Sequence, residues 1–188
     1  MWRNIMLYGF AALAGLVLYG ALRATLGFGL TMLLSVAALI VVGFVIYRNL
    51  QTNRKVPDAT PEMRQRALLF TPEPGKAALY LVRTQFVGKA VGMNITINGR
   101  DITQLKSPRF TRVDLAPGAY SVGATIAAQA KSFSELTVNA NAGDVIVVQC
   151  AMEPQMIGSI CKLVRVDLDK TRKDIERARM VAPDASPS

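Results

Sequence analysis

The sequence contains no histidine and only two cysteines in 188 residues. Histidine is the commonest general base and metal ligand near neutral pH, so its absence excludes the usual histidine-based catalytic and metal centres. Two cysteines are also fewer than the roughly four nitrogen or sulfur ligands that a structural zinc site takes. We therefore expect no catalytic residue, no bound metal and no cofactor, and we expect that the chain is not an enzyme.

Acidic residues are absent from the first 48 positions, where the only basic residues are Arg3, Arg23 and Arg48. Residues 5–22 and residues 28–47 carry no charge at all. An α-helix needs about 20 apolar residues to cross a hydrocarbon core of about 30 Å. Because the link between the two segments is short and contains glycine, this region is expected to form a transmembrane helical hairpin.

Basic residues flank the outer ends of the two apolar segments, with Arg3 on one side and Arg48, Arg54 and Lys55 on the other. The positive-inside rule then places both termini and the polar region in the cytoplasm, as a two-pass protein of a bacterial inner membrane. The lipid bilayer is thus the first expected partner. If one segment failed to insert, the polar region would face the periplasm, which is the alternative.

The polar region, residues 49–188, carries nearly all of the 22 lysines and arginines and all 13 acidic residues. Anionic lipid headgroups suit a basic surface beside a bilayer and are a second expected partner. Nucleic acid is not expected, because the basic residues are scattered and are not interleaved with aromatic side chains.

Residues 49–76 have the composition of a linker. Thr60 is a candidate N-cap, and Pro61 follows it at the first helical position, where proline is favoured. A short amphipathic helix over residues 61–69 is predicted, lying on the membrane surface.

Residues 77–168 read as short strands separated by turn residues, without the alternation of strands and helices that a parallel sheet needs. The fold class is therefore mainly β, an antiparallel β-sandwich of about seven to eight strands. The turn signals are Asn98-Gly99, Pro117-Gly118 and Ala142-Gly143. The predicted strands cover residues 77–83, 91–97, 101–106, 110–115, 119–127, 132–139, 144–150 and 159–168.

The C-terminal sequence changes its period after the last predicted strand. Residues 169–180 predict a charged helix whose narrow apolar stripe consists of Leu168, Thr171, Ile175 and Ala178. Most of such a helix would be solvated. Residues 181–188 are predicted to be a disordered tail.

The two cysteines lie on the last two predicted strands. If these strands pair around Gln155-Met156, Cys150 and Cys161 stand opposite each other, and a cross-strand disulfide fits. A disulfide suits an oxidising periplasm, whereas the charge rule places the region in the cytoplasm. The alternative to a disulfide is that both thiols are reduced and half-buried.

The order of strands and turns resembles a bacterial family of domains of unknown function, the 2846 family. The resemblance covers about residues 77–168, and similar turns occur in PEGA-type and carboxypeptidase-regulatory-like modules. It implies a β-sandwich and no known reaction, so no catalytic residue is carried over. The matching positions are Ile95, Ile97, Asn98, Gly99, Ile102, Leu105, Leu115, Pro117, Gly118, Tyr120, Ala142 and Gly143.

Two functional hypotheses follow. The first is a non-catalytic β-sandwich that acts as an interaction or accessory domain for a protein partner at the inner membrane. The second is an envelope module that faces the periplasm, carries the Cys150–Cys161 disulfide, and binds glycan or envelope proteins.

Overall fold

The fold was examined in a computed structural model that describes the backbone of residues 2–155 and 158–184. Side chains are described from residue 13 onward, except those of Asn49 and Ala130. The chain divides into two compact units, one ending at Tyr47 and the other beginning at Arg48. The described part is mainly β, with three helices and nine strands in two sheets.

The first unit belongs to helix α1, Trp2–Gln51, which continues into the start of the second unit. The sequence predicts two helices joined by a loop, but the link is helical apart from Gly27, whose φ is 73°. The hydroxyl of Thr31 donates to the carbonyl of Leu22 over 3.3 Å. In a straight helix, residues nine positions apart are separated by about 13.5 Å along the axis. The helix therefore bends sharply at Gly27.

The second unit holds the strands, whose bounds lie close to the predicted ones. Helix α2, Pro61–Leu68, precedes them, and helix α3, Leu168–Arg177, separates the last two strands. The strands are β1 Ala77–Arg83, β2 Met93–Ile97, β3 Arg100–Leu105, β4 Arg109–Leu115, β5 Gly118–Ile126, β6 Gln129–Ala140, β7 Val145–Pro154, β8 Ser159–Val166 and β9 Arg179–Met180.

The strands form a five-stranded sheet in the order β8-β7-β1-β4-β9 and a four-stranded sheet in the order β3-β2-β5-β6. The prediction of a purely antiparallel sandwich is wrong for the five-stranded sheet. Strand β7 returns beside β1 in the same direction, and β9 runs parallel to β4. These pairs join distant parts of the chain, so no local turn signal marks them.

The main core lies between the two sheets and includes Leu79, Leu81, Ile95, Val113 and Val148, all nearly inaccessible to solvent. Burial of apolar area stabilises such a core by about 25 cal/mol per Å². Alternation along β2 fits this arrangement, because Met93, Ile95 and Ile97 are buried there while the residues between them are half-buried.

A second core lies on the outer face of the five-stranded sheet, under α2 and α3. Ala67 and Phe70 pack there against Tyr80 and Phe110, together with Ile175 from α3. This layer explains why β1 is buried on both faces. Helix α2 thus packs against the sheet, and α3 is only partly solvated. The predicted contact of α2 with the membrane surface stays a prediction.

The predicted linker and tail are bound to this domain. Asp58 forms a bridge with Val181, which is fully buried, and the amide of Ala182 donates to the carbonyl of Pro57. The prediction of a disordered tail from residue 181 is therefore wrong as far as Asp184. Residues 185–188 lie outside the described residues. The charged helix also ends earlier than predicted, because β9 occupies residues 179–180.

Candidate functional site

One end of the sandwich receives the chain as it leaves α1. Hydrogen bonds of side-chain amides hold the first residues after α1 at this end. The Asn53 side chain donates to the carbonyl of Ala90 over 2.9 Å and accepts from the amide of Gly92 over 2.7 Å. The amide oxygen of Gln104 accepts from the Arg54 backbone over 2.7 Å. We call this end the attached end. The segments that connect consecutive strands at this end are residues 84–92, 106–108, 127–128 and 155–158. Of the last segment, only residues 155 and 158 are described.

Arg83, the last residue of β1, lies at the centre of the attached end and is fully buried. One guanidinium nitrogen donates to the carbonyls of Val91 and Leu105 over 2.5 and 2.9 Å, and the other donates to Gly88 over 2.9 Å. Within the described part of the chain, no ion pair involves Arg83 and its Nε has no partner. Burial lowers the pKa of this guanidinium. Arg83 therefore closes the loop 84–92 by binding carbonyls alone.

The loop 84–92 presents an apolar tip to solvent. Phe86 is 79% exposed, and Val87 beside it is 42% exposed. The Lys89 ammonium lies 5.2 Å from the centre of the Phe86 ring, within the range of a cation–π contact. At the base of the loop, the Gln85 side chain both donates to and accepts from the backbone of Met152 over 2.7 Å. The tip is thus held on a fixed base.

The two cysteines are buried and free, and they are not directly opposite each other. Cys150 pairs with Leu163, and Cys161 pairs with Met152. The predicted cross-strand register is therefore wrong by two residues, because the turn is centred one residue later than Gln155-Met156. Met156 itself lies outside the described residues.

Burial makes both thiols poor nucleophiles. It raises the pKa of Cys150 to about 12, although the nearby Arg83 charge acts in the opposite direction. It also raises the pKa of Cys161, against a weaker lowering effect of Ser132, whose oxygen is 4.0 Å from the sulfur. A thiol reacts as its thiolate, so in the folded chain both groups are expected to be inert near neutral pH.

The predicted turn Asn98-Gly99 joins β2 to β3 as a two-residue hairpin, since Ile97 pairs with Arg100. Both turn residues have positive φ values, 50° and 77°. This is the backbone that favours the Asn-Gly dipeptide in tight hairpins. The Asn98 side chain also accepts from the amide of Ser121 over 2.9 Å. The turn therefore has a structural role.

The other two predicted turns lie with it at the end opposite the attached end, which we call the far end. Pro117-Gly118 is the corner where the chain crosses from β4 in one sheet to β5 in the other. Tyr120 stabilises the corner by donating to the Ala116 carbonyl over 3.0 Å. Ala142-Gly143 precedes β7, and Gly143 has a φ of 89°.

The predicted membrane-flanking basic residues are only partly brought to the attached end. Arg54 lies there and pairs with Asp184 over 3.1 Å, while Lys55 follows it and is exposed. Arg48 lies at the end of the apolar stretch of α1. The side chain of Arg3 lies outside the described residues.

Sequence reasoning did not single out Arg83, Phe86 or Gln104. A charged residue that closes the otherwise apolar strand AALYLVR is a signal that could have identified Arg83. The only signal for Phe86 is that it is an aromatic residue in a predicted loop. Nothing in the sequence distinguishes Gln104, which lies in a strand of ordinary composition.

The described residues contain no group of three or more cysteine, aspartate or glutamate side chains placed to hold a metal ion. No protein-family model matches the chain, and no curated protein matches it.

Proposed function

We propose that this protein is a bacterial inner-membrane protein whose β-sandwich is a non-catalytic interaction or accessory domain for a protein partner. The observation that carries the proposal is the apolar stretch Leu13–Arg48 of α1, with a mean hydropathy of 2.6 and large side chains that are mostly exposed. Leu16 and Leu39, for example, are each 71% exposed. Lipid is the environment that such a surface needs.

A two-pass arrangement is part of this proposal. The bend at Gly27 divides α1 into two halves of about 24 residues, and each is about 36 Å long, enough to cross a hydrocarbon core. The Arg23 guanidinium, 5.3 Å from the Phe28 ring, would lie with the bend on the far side of the membrane. The larger group of basic residues after the second half then favours a cytoplasmic β-sandwich.

The protein partner is expected to contact a face of the sandwich. Strand addition is disfavoured at two sheet edges, because the chain already covers them. The amide of Asp184 donates to Ile102 on β3, and Ala59 donates to Met180 on β9. The uncovered outer face of β8 carries the exposed apolar residues Ile160 and Val164 and is the surface we assign to the partner.

Membrane topology separates this proposal from the periplasmic alternative with its disulfide and its glycan or envelope-protein ligand. Asn139→Cys adds an exposed thiol on β6 to a chain whose own thiols are buried. In intact spheroplasts an impermeant maleimide should leave this thiol unlabelled until lysis. Leu26→Cys at the bend should be labelled without lysis, and the unsubstituted chain is the blank. Labelling of Asn139→Cys before lysis would favour the periplasmic alternative.

The partner surface is tested by a photoreactive amino acid placed at Val164 in cells. A single specific adduct is expected from Val164 and none from Thr137, which is exposed on β6 in the other sheet. Equal adducts from the two positions would argue against the β8 face as the interface.

We also propose that residues 77–168 are related to the 2846 family. The support is the order of strands and the hairpin, corner and glycine turn at the predicted positions. An experimental structure of a member of that family tests the kinship. The order of strands in both sheets, including β7 parallel to β1, is expected to be the same.

A further inference from the structure

The attached end of the sandwich lies close to the end of the apolar stretch of α1 along the chain. The stretch ends at Arg48, and Asn53 is already bonded to Ala90 and Gly92. Five residues span at most about 17 Å even when fully extended. If α1 lies in a bilayer, the loop 84–92 is therefore near the headgroups.

Charge is distributed unequally between the two ends of the sandwich. The segments of the attached end and the residues beside them carry basic side chains that form no ion pair with another described residue, namely Lys55, Lys89, Lys106, Arg109 and Lys131. Three acidic side chains near this end are paired with other basic groups, since Glu153 pairs with Lys162, Asp184 with Arg54 and Asp58 with Arg179. The connections of the far end instead contain the acidic residues Glu73, Asp144 and Asp167, of which Glu73 pairs with Lys76 and Asp167 pairs with Lys170.

The apolar tip of the loop lies among these basic residues. Phe86 is more exposed than any other large apolar side chain in the described part of the chain. Exposure of this ring in water is unfavourable, whereas aromatic rings are enriched at the headgroup level of bilayers. The hydrogen bonds of Arg83 and Gln85 hold the base of the loop, so the loop loses little conformational entropy on docking.

We propose that the attached end docks on an anionic lipid surface, with Phe86 and Val87 in the interface and Lys89, Lys106 and Lys131 over lipid phosphates. The proposal rests on the membrane anchoring proposed above. A protein partner is less well matched to this end, because these basic residues lie at the end of the sandwich that the chain reaches at residues 53 and 54, directly after α1. The occupant is therefore the bilayer that holds α1.

The test uses the full chain reconstituted into vesicles, with Trp2→Phe removing the single native tryptophan. Phe86→Trp reports on the loop tip. Leu69→Trp is the matched control, since Leu69 is 71% exposed after α2, towards the far end. Each variant is placed in vesicles of phosphatidylcholine alone or of phosphatidylcholine mixed with phosphatidylglycerol.

In the anionic vesicles the emission of Phe86→Trp should shift to the blue and be quenched by brominated lipid, while that of Leu69→Trp should not. Charge reversal at Lys89, Lys106 and Lys131 together should abolish the shift. An unshifted Phe86→Trp in anionic vesicles, or an equal shift in both lipid mixtures, would overturn the proposal.

Flotation of the vesicles separates this failure from a failure of anchoring. A chain that floats with the vesicles but shows no shift retains its anchor and lacks only the docking. A chain that does not float would overturn the anchoring as well.

Discussion

Arg83 is a charge held in the interior by three backbone carbonyls and, among the described residues, by no carboxylate. Hydrogen bonds from a charged donor stabilise a fold by about 1.5–3 kcal/mol each, and buried acceptors left without a donor cost a comparable amount. The residue ties the carbonyls of Gly88 and Val91 in this loop to that of Leu105 on β3. Its role is to position the loop that carries Phe86.

Replacing Arg83 by methionine keeps much of the side-chain volume but removes every donor. We expect a loss of about 3 kcal/mol in the free energy of unfolding, because three carbonyls lose a charged donor and only that of Gly88 is known to keep another, the amide of Val91. Urea denaturation of the detergent-solubilised chain, followed by near-ultraviolet circular dichroism of the tyrosines, measures it. Lys131→Met, on an exposed lysine, should change the value by less than about 0.5 kcal/mol. Equal effects of the two variants would contradict the role of Arg83.

The raised pKa of the buried Cys150 thiol predicts that the folded chain loses stability at alkaline pH. Its pKa is raised from an ordinary value of 9.0 to about 12 in the folded chain, so the unfolded chain loses this proton first. The contribution to stability is complete below pH 9 and decreases as the pH rises towards 12. The pKa of Cys161 is shifted in the same direction.

The double variant Cys150→Ala, Cys161→Ala isolates this effect from the titration of tyrosines and lysines. Urea midpoints measured at pH 8 and at about pH 10.5 should fall more steeply for the native chain than for the variant. Parallel pH dependences would show that the thiols are not buried as described.

Helix α2 is held on the five-stranded sheet by polar groups as well as by packing. Tyr80 donates to the carbonyl of Ala67 over 2.6 Å in a buried position. Arg112 donates to Arg66 and Thr71 at the end of the helix and pairs with Asp114 over 2.8 Å. Burial raises the pKa of Tyr80, so this hydroxyl remains a donor. The helix is thus a structural layer of the domain.

Two tyrosines allow a matched test of this layer. Tyr80→Phe removes a buried hydrogen bond, while the Ala67 carbonyl keeps the backbone amide of Phe70, so we expect a loss of about 1 kcal/mol. Tyr120→Phe removes an exposed bond to Ala116 and should cost less than about 0.5 kcal/mol, because water replaces the donor. Urea denaturation of both variants provides the comparison, and a larger loss for Tyr120→Phe would be inconsistent with the described docking of α2.

The strands could be predicted because their signals are local. Asn98-Gly99 fixes a hairpin through the backbone conformation that these two residues favour, and alternation marks the buried face of β2. Pairing between distant segments has no such signal. The parallel pairs β1–β7 and β4–β9 depend on which strands share a sheet, and β9 is only two residues long.

The register of β7 and β8 shows how a small local error changes a predicted site. Pro154 pairs with Ser159, so the turn contains Gly158, with a φ of 84°, and is centred one residue later than expected. A shift of one residue in the centre moves the cross-strand partner by two. Cys161 therefore faces Met152 instead of Cys150. The partners of Arg83 could not be predicted either, because these carbonyls come from a loop and another strand.

At the scale of the whole molecule, the chain combines an apolar helix with a β domain whose two ends differ in charge. The helix leads directly into the attached end, and the linker and C-terminal residues cover one edge of each sheet, at β9 and β3. This arrangement leaves the loop 84–92 and the outer face of β8 as the exposed surfaces through which we propose that it acts. Composition alone predicted the apolar region and the basic domain, but not which end of the domain receives the chain.

The central claim is that the intact chain remains in the membrane through α1. Alkaline carbonate extraction of membranes, followed by mass measurement of the retained protein, tests it most directly. We predict that the protein stays in the pellet at its full mass of 20.4 kDa. Release into the supernatant, or a retained or soluble species shortened by the apolar N-terminal segment, would contradict the account.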